Sequence, residues 1–217
     1  IERATRDVAL EFGASTTAVF TYLANSMRVG ERETPYSLVS AMDAPQLSLS
    51  ENGIALLDWT ADDLAARVGD QLKMDFFVWK DEGRIETHSA DFVVEEILPT
   101  TQDWVDDSLA PAYPGISETE NLSDWKPPFP FDLSRVRGKD EDFWDRYGAM
   151  PKAVLPLERG QRIWGGRQGR LTSVMVEVPS SETEEWRGPF ASRLRERLDP
   201  YALGFSLLSA RKEGLRA

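Results

Sequence analysis

The side chains that could do chemistry are few in kind and awkwardly spaced. His88 is the only histidine, and the chain has no cysteine. A serine nucleophile would therefore depend on His88 as its base. That residue sits in RIETHSAD (84–91), a segment alternating polar and apolar residues, so it reads as a surface position on a strand. No G-x-S-x-G turn offers a nucleophile. Thiol catalysis and thiolate metal sites are excluded, and zinc normally draws on several His or Cys ligands. Asp140, Glu141, Asp142 and Asp145 cluster in DEDFWD, but their spacing is not that of an EF-hand loop. With Arg135, Arg137, Lys139 and Arg146 alongside, they read as a salt-bridged, solvated helix face. Paired carboxylates of a glycosidase type are defined by separation in space, so 37 acidic residues always supply some candidate pair. GGRQGR (165–170) lacks the Lys and the spacing of a phosphate-binding P-loop and reads as a loop. No catalytic residue, cofactor site or metal site is assigned.

The aromatic residues are more distinctive. Trp104, Tyr113, Trp125, Phe129, Phe131, Phe143, Trp144 and Tyr147 crowd into residues 100–149, together with Pro111, Pro114, Pro127, Pro128 and Pro130. A flexible linker does not carry so many large rings, so this stretch reads as an insertion. The rings serve either as its private core or as a platform for a lipid, sugar or protein partner. The core role is preferred. Trp104, Trp125, Phe129, Phe131 and Trp144 are the residues of the candidate interaction surface.

The elements that must carry these residues follow from periodicity. Residues 1–13 have helical spacing and a natural stop at Gly13. AVFTYLANSMRV (18–29) and TPYSLVSAM (34–42) form a hairpin around GERETP. Ile54–Leu57 is a short strand. The helix TADDLAARV (60–68) follows, capped by Asp58 or Thr60 and ended by Gly69. KMDFFVW (73–79) and RIETHSADFVVEEIL (84–98) flank the turn KDEG, with Met74, Phe76 and Val78 on one face. DEDFWDRY (140–147) is a short helix, PKAVLPL (151–157) a strand, LERGQRIWG (157–165) a helix and LTSVMVEV (171–178) a strand. Trp186, Phe190, Leu194 and Leu198 step by four along a helix expected to start at Pro189. GFSLLSA (204–210) is the final strand. Hairpins first and strand–helix–strand units later argue an α+β fold: a mixed sheet with helices packed on it, plus the Pro- and aromatic-rich irregular insertion. Residues 1–99 and 150–217 form a discontinuous core, and residues 100–149 the insertion.

Bulk properties fit one large domain. The 217 residues are 41% hydrophobic and 29% charged, enough to bury a sizeable core. Mean hydropathy is −0.41. No apolar run approaches the roughly 20 residues of a membrane-spanning helix, and IERATRDVALEF lacks the apolar region of a signal peptide. A chain starting at Ile1 reads as a piece of something longer. The net charge of −12 repels phosphate backbones and anionic lipid surfaces, so nucleic-acid binding is not expected.

Five stretches, in order, resemble long bacterial ABC-transporter permeases of the MacB/FtsX-like family. They are FTYLANSMRVGERETPYSLVSA, IALLDWTADDLAARVGDQLKMDFFVW, ADFVVEEILP, DFWDRYGAMPKAVLPLERGQRIWG and LTSVMVEV. The resemblance implies a MacB periplasmic-core-like fold on the periplasmic or extracellular side of a cell membrane protein. It implies no catalytic residues and no cofactor. Its implied partners are a cognate ATPase acting through the membrane part, a second permease protomer, and protein, peptide or lipid cargo outside the membrane. Segment 100–149 is larger than in compact members. Two other functions compete: a secreted binding or adhesion module using the aromatic insertion, and a hydrolase working through two carboxylates.

Overall fold

A computed structural model describes residues 1–80, 83–112, 119, 121–125, 129–166, 169–178 and 183–199. Contacts divide the chain into two compact units, residues 1–16 with 174–217 and residues 17–173.

In the smaller unit, α1 (Glu2–Glu11) packs on α5 (Thr183–Arg197). The Phe12 ring lies 5.3 Å from Trp186 and 5.7 Å from Phe190, and Glu11 is paired with Arg193 and Arg197. These contacts correct the expected start of α5. The helix begins at Thr183 and runs through Pro189, because Phe12 holds the turns on both sides of the proline and offsets the backbone hydrogen bond it forfeits. The expected strand at 204–210 lies outside the described residues.

The larger unit is built from β1 (Thr16–Val29), β2 (Arg32–Met42), β3 (Gly53–Leu57), β4 (Gln71–Trp79), β5 (Ile85–Leu98) and β6 (Ala153–Leu155). The expected α+β class, with a mixed sheet and helices packed on it, is what the structure has. Its strands also close on themselves. The order β2-β6-β3-β5-β4-β1 is completed by a β1–β2 pairing, and two joints, β2–β6 and β3–β5, are parallel. Along this ring every strand has a neighbour on each side, with the short strand β6 bridging β2 and β3 over two or three residues.

One face of each strand converges on a single core. Phe20 and Ala24 of β1, Val39 and Ala41 of β2, Ile54 and Leu56, Met74 and Phe76, Phe92 and Val94, Ala153 and Leu155 all belong to it. The period of two in the sequence thus becomes an inside and an outside. Helix α4 (Leu157–Trp164) adds Trp164, stacked 5.3 Å from Tyr22. It approaches closely because of Gly160, where an added Cβ would lie 2.2 Å from that of Ala41.

Helix α2 (Asp58–Leu64) is shorter than expected and ends at Ala65, in left-handed conformation at φ 48°. Neither Asp58 nor Thr60 occupies the N-cap, which is Leu57. Asp58 instead accepts from Trp59 N at 2.7 Å and Thr100 N at 3.0 Å, and Thr60 Oγ1 donates to the Lys152 carbonyl at 3.0 Å. The third helix of this unit, α3 (Gly138–Tyr147), follows three short 3-10 turns at Asp107–Leu109, Leu122–Asp124 and Leu133–Arg135.

Candidate functional site

Four aromatic residues of the 100–149 segment gather on the outer face of the β1–β2 hairpin. Leu23 and Tyr36, which point away from the ring interior, pack with Leu122, Trp125, Phe129, Phe131, Val136 and Trp144. Trp125 lies 5.1 Å from Trp144 at 77° and 5.5 Å from Phe131. Phe131 lies 4.3 Å from Tyr36, and Phe129 lies 5.9 Å from Phe77 of β4. Trp125 and Trp144 are 5% and 8% exposed. Phe129 and Phe131 are half-buried in the same cluster, and Trp104 is half-buried outside it. The Trp144 indole N–H donates to the Thr119 carbonyl at 3.2 Å, whereas that of Trp125 is buried without a partner. Two of the five candidate surface residues therefore spend their ring area on packing. Tyr113 lies outside the described residues.

Beneath this cluster lies a charged network that the spacing of residues did not announce. Lys152, just before β6, is 4% exposed. Its backbone is tied to the ring: its N–H donates to the Leu38 carbonyl at 2.8 Å, and its carbonyl accepts from Leu57 N at 3.1 Å. Its ammonium lies 3.7 Å from Asp140 Oδ1, 4.3 Å from the Trp59 ring centre and 4.8 Å from that of Phe143. Two electron-rich ring faces and a carboxylate thus enclose one cation. Burial pulls the Lys152 pKa down to about 8, against the raising influence of Asp140 and Asp63 and with that of Arg137.

The carboxylates of this network are already engaged. Asp140 is 2% exposed. It accepts from Arg137 Nε at 2.7 Å on one oxygen and Arg137 Nη2 at 2.6 Å on the other, a bidentate pair. The expected salt-bridged, solvated helix face is corrected here: Asp142 and Asp145 are exposed, but Asp140 is buried and paired because α3 turns it toward Lys152. Arg137 Nη2 also reaches Asp63 of α2 at 2.7 Å, where Lys139 and Thr34 converge. Burial pushes the Asp63 carboxyl up, but the hydrogen bonds from Lys139, Thr34 and Arg137 outweigh it and hold it below the ordinary carboxylate value. Arg137 is pushed up in turn: burial opposes the shift, but its bonds to Asp140 and Asp63 prevail.

The remaining candidates are simpler. His88 lies on β5 with its side chain 41% exposed, 3.4 Å from Glu86 Oε2. Gly166 and Gly169 of the GGRQGR loop exchange backbone hydrogen bonds at 3.2 Å. Among the described residues, no group of three His, Asp or Glu side chains is placed to hold a metal ion, and no helix is long and apolar enough to cross a membrane. An open cavity of about 570 Å³ lies beside Asp107, Trp144, Asp145 and Gly148. Sequence reasoning missed Lys152, since a lysine beginning a short apolar strand is ordinarily exposed.

No family model matches the chain, and no curated protein matches it. Among solved structures, it is similar to one described as "a domain of a putative Permease protein" from Porphyromonas gingivalis. The TM-score is 0.40 at 9% identity, over 88% of this chain and 69% of that one.

Proposed function

We propose that the chain is a non-catalytic, extracytoplasmic domain of an ABC-transporter permease of the MacB/FtsX-like type. In this reading it stands on the periplasmic or extracellular side of a membrane protein. It contacts protein, peptide or lipid cargo, or a partner protein, and relays movement driven by a cognate ATPase through a permease dimer.

One observation carries the proposal: where the resembling stretches fall. They cover most of the β1–β2 hairpin, β3-α2-β4, the second halves of β5 and α3, β6-α4 and β7 (Ser173–Val176). All six strands of the ring are therefore represented, in order, together with its helices. A ring whose strands share one core suits a mechanical part, because close-packed interiors shift as units rather than deforming continuously.

The test uses the full-length parent protein with its ATPase in lipid. Spin labels are placed on exposed ring positions such as Lys73 and Asp91. Nucleotide binding and hydrolysis should change the distance between the labels of two protomers. Distances that stay the same in every nucleotide state sink the relay. A parent reading frame with no apolar run of about 20 residues sinks the permease reading altogether.

A further inference from the structure

Three cations meet two carboxylates where α3 rests on the ring. Arg137, Lys139 and Lys152 face Asp63 and Asp140. Asp140 gives both oxygens to Arg137, and Asp63 is shared among Arg137, Lys139 and Thr34. Nearby acids are committed elsewhere: Glu33 to Arg28 and Arg135, and Glu141 to the Leu122 backbone N–H at 2.8 Å. Tyr36 lines the same small interior cavity as Lys152, and its hydroxyl accepts from Asp132 N at 2.8 Å. The cluster therefore holds one positive charge too many, and it falls on the most buried cation, Lys152. That lysine reaches its carboxylate only at 3.7 Å.

The same residues form the seam. Asp140 and Phe143 belong to α3, Trp59 and Asp63 to α2, and Lys152 to the approach to β6. Side chains rather than strand pairing join α3 to the ring, and the helix ends at Gly148, whose φ of 57° and ψ of −135° a side chain would strain. Lifting α3 would carry Asp140, Arg137, Lys139 and Phe143 away from Asp63, Trp59 and Lys152, and would expose the ammonium to water.

We propose that Lys152 and α3 form a proton-operated latch, in which the protonated lysine loads the seam and favours release of α3, while loss of that proton locks α3 onto the ring. The sign follows from burial. The docked state holds Lys152 at about 8, and the released state returns it toward the ordinary lysine value near 10.5. Release therefore takes up protons between those values, so docking strengthens as pH rises through them. The inference does not rest on the permease reading.

Amide hydrogen exchange of the 217-residue chain tests it, with protection corrected for the intrinsic pH dependence of exchange. The expected result has two parts. The α3 amides open more easily than those of β3 and β4 at about pH 6, and their protection rises roughly thirtyfold by about pH 9.5. Lys152→Met should abolish that rise. The latch is overturned if α3 exchanges together with β3 and β4 throughout, if its protection is flat or falls with pH, or if folded Lys152→Met keeps the rise. Should that variant not fold, a direct NMR titration of the native Lys152 side chain decides. A midpoint near 8 supports the latch, and one at the ordinary lysine value overturns it.

Discussion

The Lys152 ammonium lies 3.7 Å from an Asp140 carboxylate whose two oxygens are both bonded by Arg137. The two basic partners are therefore unequal, and substitution should reveal it. Lys152→Met keeps the apolar stem between Trp59 and Phe143 and leaves Asp140 paired with Arg137. It should leave stability near neutral pH unchanged or raise it by about 1–3 kcal/mol, as buried ions replaced by apolar isosteres often do. Asp140→Asn strips Arg137 and Lys152 of a buried counter-charge and should cost about 3–5 kcal/mol. Urea unfolding of the two variants checks the contrast. Equal destabilisation by both would mean that Lys152 is fully neutralised by Asp140.

The same pair gives global stability a pH dependence with a definite sign. The folded-state value of Lys152, about 8, lies below the ordinary lysine value. Between the two, the unfolded chain binds more protons than the folded one, so this residue makes stability rise with pH across that window. Its contribution is about 3 kcal/mol. Urea midpoints from pH 7 to 10.5 in the native chain and in Lys152→Met isolate it as the difference between two curves. Parallel curves would contradict it.

Why Lys152 escaped sequence reasoning, while much of the frame did not, comes down to the range of the interactions. Met74 and Phe76 alternate in β4 and point into the core as local periodicity requires. The β1–β2 hairpin was legible because its partners are near in sequence. Ring closure depends on parallel joints such as Val39 with Ala153 and Gly53 with Val93, which no local pattern encodes. Periodicity alone extends helix α2 to Val68, because nothing in ADDLAAR marks the left-handed turn that Ala65 makes. The aromatic richness of 100–149 was visible, but which rings are covered is decided by Leu23 and Tyr36 on another element. Lys152 needs four elements at once: its own, α2, α3 and β2.

Gly160 tests the closeness of α4 to β2. A methyl group there would meet the Ala41 Cβ at 2.2 Å and the Trp164 ring at 3.2 Å. Helix propensity favours alanine by roughly 1 kcal/mol, but overpacking of this severity should dominate. Gly160→Ala should lose about 1–3 kcal/mol net. The double variant Gly160→Ala, Ala41→Gly removes the worst contact and should recover part of the loss. Thermal unfolding of the single and double variants measures the coupling, and strictly additive effects would mean that the helix simply shifts outward.

Trp125 and Trp144 share a cluster but differ in their indole N–H groups. Alanine at either position should cost about 3–5 kcal/mol, the usual price of deleting a buried aromatic ring. Phenylalanine should separate them. Trp125→Phe discards a donor with no partner, whereas Trp144→Phe also leaves the Thr119 carbonyl without its indole donor, a further loss of about 1 kcal/mol. Chemical denaturation of the four variants provides the test. A ligand-recognition role for these rings would instead predict near-native stability in the alanine variants.

Asp63 should set part of the acid limb of stability. Hydrogen bonds from Lys139, Thr34 and Arg137 overcome its burial and lower its folded-state value below the unfolded one. A depressed carboxylate stabilises the fold above its ordinary value, and the contribution is lost as pH falls toward the folded-state value. The native chain should therefore weaken on acidification below about pH 4, and Asp63→Asn should weaken less steeply there from a lower starting stability. Asp58 is depressed as well: burial opposes the shift, but hydrogen bonds from Thr100 and Trp59 outweigh it. Some acid sensitivity should thus survive in Asp63→Asn. Urea midpoints between pH 2.5 and 6 distinguish the two carboxylates. An Asp63→Asn curve that parallels the native one would show that Arg137 binds the neutral and charged forms alike, and that Asp140 alone anchors the guanidinium.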